Sequence, residues 1–368
     1  MLRLTGQGLY CEAGEFYVDP WKPVERAVLT HAHADHARPG SRRYLAAAEG
    51  LAVLRARLGE EARIETLPYG EATRRRGVRV SFHPAGHVLG SAQVRIEHRG
   101  EVWVVSGDYK TEADRTSAPF EPVRCHTFVT ESTFGLPIYR WASEAEVFEE
   151  INAWWRTNCA AGRATLLYGY ALGKAQRLLA GVDPSIGPIY THGAVERMCR
   201  AYRESGIALP PTLRVSDEPS RREAPGAAGT RWAGALVLAP PGAHGTPWMR
   251  RFGEASTGFA SGWMRIRGTR RRRALDRGFA LSDHADWPGL LSAIAATGAE
   301  RVWVTHGYRE PLVRWLREQG LEAQAVATLF EGESAEGEAS EAASDAGSEA
   351  PAGAAAPDPE PTPEGPGS

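Results

Sequence analysis

Thr30-His31-Ala32-His33-Ala34-Asp35-His36 is the stretch on which the reading of this chain turns. Four metal-capable side chains stand within six residues, separated by alanines small enough to let the backbone fold tightly round an ion. Imidazole nitrogen and carboxylate oxygen suit zinc, with manganese or iron as alternatives. His31 and His33, two apart, can point the same way; Asp35 and His36, at the next turn, can address a second ion. A solvated histidine-rich loop is the bland alternative. It does not account for the apolar run Ala27-Val28-Leu29 that feeds the stretch, nor for the ligand candidates further on.

Those candidates share a layout, in which a short apolar run ends in a chemically capable residue. Val102 to Val105 leads to Asp108, Phe128 to Thr130 into Glu131, Phe279 to Leu281 into Asp283-His284, and Val302 to Thr305 into His306. In sheet-based α/β folds ligands gather beyond the carboxyl ends of strands, so these repeated endings imply that distant segments converge. His87 lies in Pro84-Ala-Gly-His-Val-Leu-Gly-Ser91, where glycines on both sides permit close backbone approach. With Asp108 shared by two ions, the set supplies four ligands to each.

The rest of the chain sets bounds. Of its 368 residues 43 are Lys or Arg and 45 Asp or Glu, but residues 331–368 hold ten acids and no base, which leaves residues 1–330 at about +8. That Ala/Glu/Gly/Pro/Ser tail cannot offset the entropy of ordering and is expected to be disordered. No apolar run approaches the ~18 residues of a membrane span, and the start lacks a signal-peptide core. Four scattered cysteines without a C-x-x-C pair argue against a disulfide framework or a thiolate zinc site and fit a reducing, cytoplasmic setting. Alternation predicts strands at Val78–Phe82 and Val94–Ile96, and a Ser143/Glu146 capping box predicts a helix that buries Val147, Ile151 and Trp154. Further helices are expected over Gly173–Leu179, over Val195–Tyr202 and from Pro311 onward. All but three of the 43 bases are arginine, whose planar fork suits phosphate. Arg270, Arg271, Arg272 and Arg273, with Trp263 and Phe259 close in sequence, are the candidate nucleic-acid contacts, balanced against a solvated charged face.

The pattern His31-x-His33-x-Asp35-His36, then His87, Asp108 and His306, resembles the metallo-β-lactamase fold. Glu131 and the His284 of Ser282-Asp-His-Ala-Asp286 resemble added motifs of its β-CASP nuclease branch. More narrowly, residues 2–330 are similar to bacterial DNA-ligase-associated exonucleases, through Gly8-Leu-Tyr-Cys11, Glu131-Ser-Thr-Phe-Gly135, Gly245-Thr-Pro-Trp-Met-Arg-Arg-Phe252, Ser261-Gly-Trp-Met264 and Leu281-Ser-Asp-His-Ala-Asp-Trp287. The resemblance implies an α/β chain: an αββα sandwich from residues 1–136 and 279–330, with a β-CASP cap, 137–278, inserted between them. It implies one zinc on His31, His33, His87 and Asp108 and another on Asp35, His36, Asp108 and His306, with manganese as the alternative metal. Asp19 would orient the ligand loop from behind, and His284, held by Glu131, would be the general acid. The implied activity is DNA exonuclease action in end repair, in association with an ATP-dependent DNA ligase and a helicase. His306 keeps an RNA-processing nuclease as the alternative, because RNA-processing relatives carry histidine there. A lactonase or thioesterase would share the metal core but not the cap-sized insertion. Gly169-Tyr-Ala-Leu-Gly-Lys174 is too short for a phosphate-binding P-loop, and Ala175 stands where that loop needs Ser or Thr; it resembles a β-CASP cap segment instead.

Overall fold

A computed structural model describes residues 1–215, 230–266 and 275–328. The chain is a mixed α/β protein built on three sheets. The first has six strands in chain order, Leu2–Thr5, Gly8–Cys11, Phe16–Val18, Ala27–Val28, Tyr44–Ala47 and Ile64–Leu67. The second has seven, running Glu322–Ala325, Arg301–Gly307, Thr127–Ser132, Glu101–Val105, Ala92–His98, Val78–Pro84 and Ala72–Arg75 from edge to edge. The last two strands of the described chain, Arg301–Gly307 and Glu322–Ala325, thus lie in one sheet with strands from residues 72–132.

These two sheets pack face to face. Phe16, Val18 and Val28 of the first meet Val80, Phe82, Val94, Ile96 and Val105 of the second in one core. Helices cover the outer faces: Trp287–Thr297 and Arg309–Glu318 lie on the second sheet, burying Leu290, Ile294, Leu312 and Leu316 against Val104, Phe128 and Val302. Helix Leu51–Leu58 packs on the first, with Met198 and Tyr202 from residues 193–204. The order of layers is therefore helix, sheet, sheet, helix.

The third sheet is parallel throughout, in the order Leu213–Arg214, Ile189–Thr191, Leu236–Ala239, Thr165–Tyr168, Ser256–Ala260 and Arg277–Phe279. Both faces are buried, as parallel strands require. Trp154, Leu178 and Val195 cover one side; Phe252, Trp232 and Trp263 cover the other. Phe279 belongs to this sheet, one residue beyond the boundary expected from the resemblance.

Most local expectations match the observed elements. The helix Glu144–Ala160 opens on the Ser143/Glu146 capping box, and Lys174–Gly181 and Gly193–Glu204 cover the other two expected helices. The last helix starts at Arg309, two residues before Pro311. Proline is tolerated there because the first-turn amides have no intrahelical acceptor. Residues 331–368 and the arginines 270–273 lie outside the described residues.

Candidate metal centre

Chain ends of strands from both packed sheets deliver the predicted ligands to one place. Nδ1 of His33 lies 3.1 Å from Nε2 of His31 and 3.0 Å from Nε2 of His87. Oδ2 of Asp108 is 3.5 Å from the same nitrogen of His31 and 3.8 Å from that of His87. Four ligands round a tetrahedral zinc with bonds of 2.0–2.1 Å stand about 3.3 Å apart, so this set has the spacing of a zinc shell. Asp108 also faces the second set. Its Oδ1 is 2.8 Å from Nε2 of His306, and its Oδ2 is 3.5 Å from Nε2 of His36, which is itself 3.5 Å from Oδ2 of Asp35. Donor types and separations alike fit a pair of divalent ions sharing Asp108.

The outward nitrogens are occupied as well, which fixes how each ring presents itself. Nδ1 of His31 meets the Thr30 hydroxyl at 3.1 Å, and Nδ1 of His36 meets Oδ2 of Asp19 at 2.8 Å. Asp19 also accepts the Thr30 amide at 2.9 Å and the Thr30 hydroxyl at 2.6 Å. It holds a positive φ of 43°, a conformation Asp tolerates better than most residues. The outward nitrogen of His33 lies 3.2 Å from the Leu172 carbonyl, and that of His87 lies 2.9 Å from the Asp283 carbonyl.

Burial pushes the imidazoles of His31 and His87 well below their usual range, reinforced by neighbouring imidazoles (His36 for His31, His284 for His87). Both rings are therefore neutral at pH 7 and offer the lone pair a metal needs. For His36, burial acts in the same sense, but the carboxylates of Asp35, Asp108 and Asp19 outweigh it and hold the ring well above the ordinary histidine value. Burial alone would raise Asp108; His36 and His306 hold it well below the carboxylate range.

Glu131 and His284 meet beside Asp108, with the His284 ring against that of His87. Nδ1 of His284 lies 2.9 Å and 3.0 Å from the two carboxylate oxygens of Glu131, and the Tyr109 amide donates to Glu131 at 2.7 Å. One ligand-capable atom from each of Asp108, Glu131 and His284 falls within 4.8 Å of the others. Glu131 was expected just past a strand, but it sits inside Thr127–Ser132, at a bulge. Thr130 pairs with Val304 and Ser132 with Gly307, so Glu131 opposes both Thr305 and His306. Such a bulge re-aims side chains next to a site, and here it turns Glu131 and His306 towards Asp108.

The aromatic contacts expected for nucleic acid are placed otherwise. Trp263 is 7% exposed and packs among Phe134, Tyr139 and Tyr308, and Phe259 is wholly buried. Both belong to the core beside the third sheet, because the strand Ser256–Ala260 is central enough to be covered on both faces; neither offers an open face for a base. His192 caps the helix Gly193–Glu204, and His244 packs edge-on against Tyr168.

Sequence reasoning did not find the Leu172 and Asp283 carbonyls or the ion pairs of Lys174 and Arg177 beneath them. The one signal was the glycine-rich approach to Lys174. On the side of the second ligand set, Asp35, His36 and His306 border a cavity of about 60 Å³ with Trp21, Thr305 and Thr328. No helix among the described residues is long and apolar enough to cross a membrane.

No family model matches the chain. It is 33% identical over 322 residues to a probable DNA ligase of Opitutus terrae, a match covering 87% of this chain and 30% of that protein. It is 34% identical over 125 residues to endoribonuclease YSH1 of Saccharomyces cerevisiae, covering 33% of this chain and 16% of that one. With the cleavage and polyadenylation specificity factor 73 of Drosophila melanogaster the identity is 30% over 155 residues, 39% of this chain and 22% of the relative. The chain thus spans at most 30% of the length of these three relatives. A crystal structure of a protein of unknown function from Enterococcus faecalis matches with a TM-score of 0.52 at 12% identity, over 76% of this chain and 74% of the other, a likeness of fold alone. With the shared carboxylate, the paired histidine sets and the Glu131–His284 couple already in place, these relatives lead to one conclusion: the chain belongs to the β-CASP nuclease branch of the metallo-β-lactamase superfamily.

Proposed function

We propose that the protein is a two-metal phosphodiester hydrolase that trims DNA ends, an exonuclease whose products pass to a DNA ligase. The observation that carries this reading is Asp108, one carboxylate facing both ligand sets, with the Glu131–His284 couple beside it. On this reading residues 1–136 and 279–330, Phe279 excepted, belong to the αββα sandwich, and 137–278 to the inserted β-CASP cap. Two divalent ions, zinc or manganese, would supply Lewis acidity and a water acidic enough to attack phosphorus.

The chain's own residues do the rest. Asp108 holds the two ligand sets at a common separation, and Asp35 completes the second. His284 carries a proton to the departing oxygen, while Glu131 grips Nδ1 and fixes the ring's orientation. Burial of the centre keeps bulk water from competing in the reaction. Association with ligation is supported by the extent of the probable DNA ligase match, in which a unit like this chain makes up 30% of the protein. A helicase partner and a cytoplasmic setting rest on the family resemblance. Arg270 to Arg273 are carried forward as phosphate contacts on sequence grounds alone. The relatives named as endoribonucleases favour RNA as the second reading.

One experiment decides between them. Metal-loaded protein and its Asp35→Ala variant are incubated with end-labelled single-stranded DNA, duplex DNA and RNA of one sequence. Stepwise shortening of DNA, lost together with bound metal in the variant, is the expected result. Cleavage of RNA with DNA intact selects the second reading, and full activity in Asp35→Ala defeats the two-ion mechanism.

A further inference from the structure

Segment 172–177 enters the centre from the side of the third sheet. Besides the Leu172 carbonyl on His33, it brings Gly173 against Val88, the residue after His87: a Cβ there would lie 2.4 Å from Cγ1 of Val88. Lys174 and Arg177 then take one oxygen each of Asp283. Nζ of Lys174 is 2.9 Å from Oδ2, off the hydrogen-bonding direction, and Nη1 of Arg177 is 2.8 Å from Oδ1. Arg177 also donates to the Ser282 carbonyl and to Glu144, which in turn accepts from Lys110 at 2.8 Å. Lys174, Arg177 and Asp283 are each buried to within 2% of completely.

Burying such charges is expensive. An apolar set of the same volume is often as stable or more stable, so stability alone is a poor reason for the cluster. Geometry offers a better one. Asp283 is gripped through its side chain while its main-chain carbonyl accepts from Nδ1 of His87, and the next residue is His284, whose amide donates to the Ser282 hydroxyl at 3.0 Å.

We propose that Lys174 and Arg177 are positioning residues for the catalytic centre. By holding the 282–284 loop they aim His87 at its metal and His284 at the scissile phosphate, so that seating of segment 172–177 sets the geometry of the centre. Two of the three imidazoles in the first ligand set then depend on this segment for their orientation, His33 directly and His87 through Asp283. The inference rests on the two-metal reading above and adds a role for the cap that goes beyond covering the site.

The test compares wild type, Lys174→Met, Lys174→Arg and Arg177→Lys in three measurements: zinc affinity by chelator competition, kcat and KM on labelled DNA, and melting of the metal-free protein. Lys174→Met is expected to bind zinc about 10–100-fold more weakly, as for other partners that orient metal ligands. Its kcat falls while KM stays within about twofold, and Lys174→Arg restores most of both. Arg177→Lys keeps the charge but cannot span Asp283, Ser282 and Glu144 together, so it shows the same split at smaller size. It is the variant to read if Lys174→Met does not fold. Wild-type zinc affinity and kcat in folded Lys174→Met, or in Arg177→Lys, overturn the proposal and leave the two-metal reading standing. A wild type that binds no metal removes both.

Discussion

The imidazoles of His31, His33, His36 and His87 are each held by a partner at the ring nitrogen that faces away from the candidate ligand sets. His284 belongs to neither candidate ligand set, and its Nδ1 meets both carboxylate oxygens of Glu131. His284→Ala is therefore expected to retain both metals while cleavage slows by about 10²–10⁴-fold, the usual loss for a general acid; elemental analysis beside the rate checks it, and loss of metal would make His284 a ligand. The cysteines allow a pH prediction. Burial pushes the thiols of Cys125 and Cys199 up to about 11 and about 12. Unfolded thiols ionise near about 8.5, so the unfolded chain releases protons that the folded one keeps. Stability should fall as pH rises from about 8.5 towards 11, while at pH 8 neither thiol reacts with iodoacetamide until the protein unfolds. Mass spectrometry of the native protein after alkylation tests this, and rapid labelling of Cys199 would contradict its burial.

At the scale of elements, the centre depends on irregularities. The bulge at Glu131 lets one strand oppose two residues of its neighbour, and Gly307, at φ 80°, is where a Cβ would strike the Ser132 carbonyl at 2.2 Å. The start of helix Lys174–Gly181 is equally constrained, because Gly173 has φ 88° and no room beside Val88. Gly173→Ala pays for a left-handed backbone and for a clash with a packed side chain, about 2–5 kcal/mol together. Urea unfolding should show that loss, with weaker zinc binding because Leu172 and Lys174 flank the position. An unchanged midpoint would mean that segment 172–177 does not seat against the 87–88 turn. Alternation and capping made many of these elements legible in the sequence, since both are local patterns. The bulge was not, because it depends on the register between Thr127–Ser132 and a strand about 170 residues away.

For the whole molecule, charge is divided along the chain, a body of about +8 and a run of ten acids over residues 331–368. Phosphate neutralisation makes binding fall steeply with salt, and a tethered run of carboxylates competes for the same cations. Removing residues 331–368 should lower the Kd for DNA at low salt, with the difference vanishing as ionic strength shortens the screening length to about 8 Å and below. Fluorescence anisotropy with a labelled oligonucleotide at several salt concentrations measures it. Equal affinity of both forms at low salt would show that the tail does not reach the binding surface.

Candidate ligands could be picked from the sequence because metal chemistry selects few residue types, and His31 to His36 place four of them within six residues. Strand endings pointed to His87, Asp108, Glu131, His284 and His306 because apolar runs reveal strands, and strands reveal where their ends lie. What the tertiary structure alone decided are the partners that every sequence position could equally supply. The carbonyls of Leu172 and Asp283 are main-chain atoms, and Trp263 reads as a base-stacking residue until the sheet that buries it is assembled. Side-chain chemistry is written residue by residue; which backbone atom meets it, and which aromatic face stays open, is set by how distant segments pack.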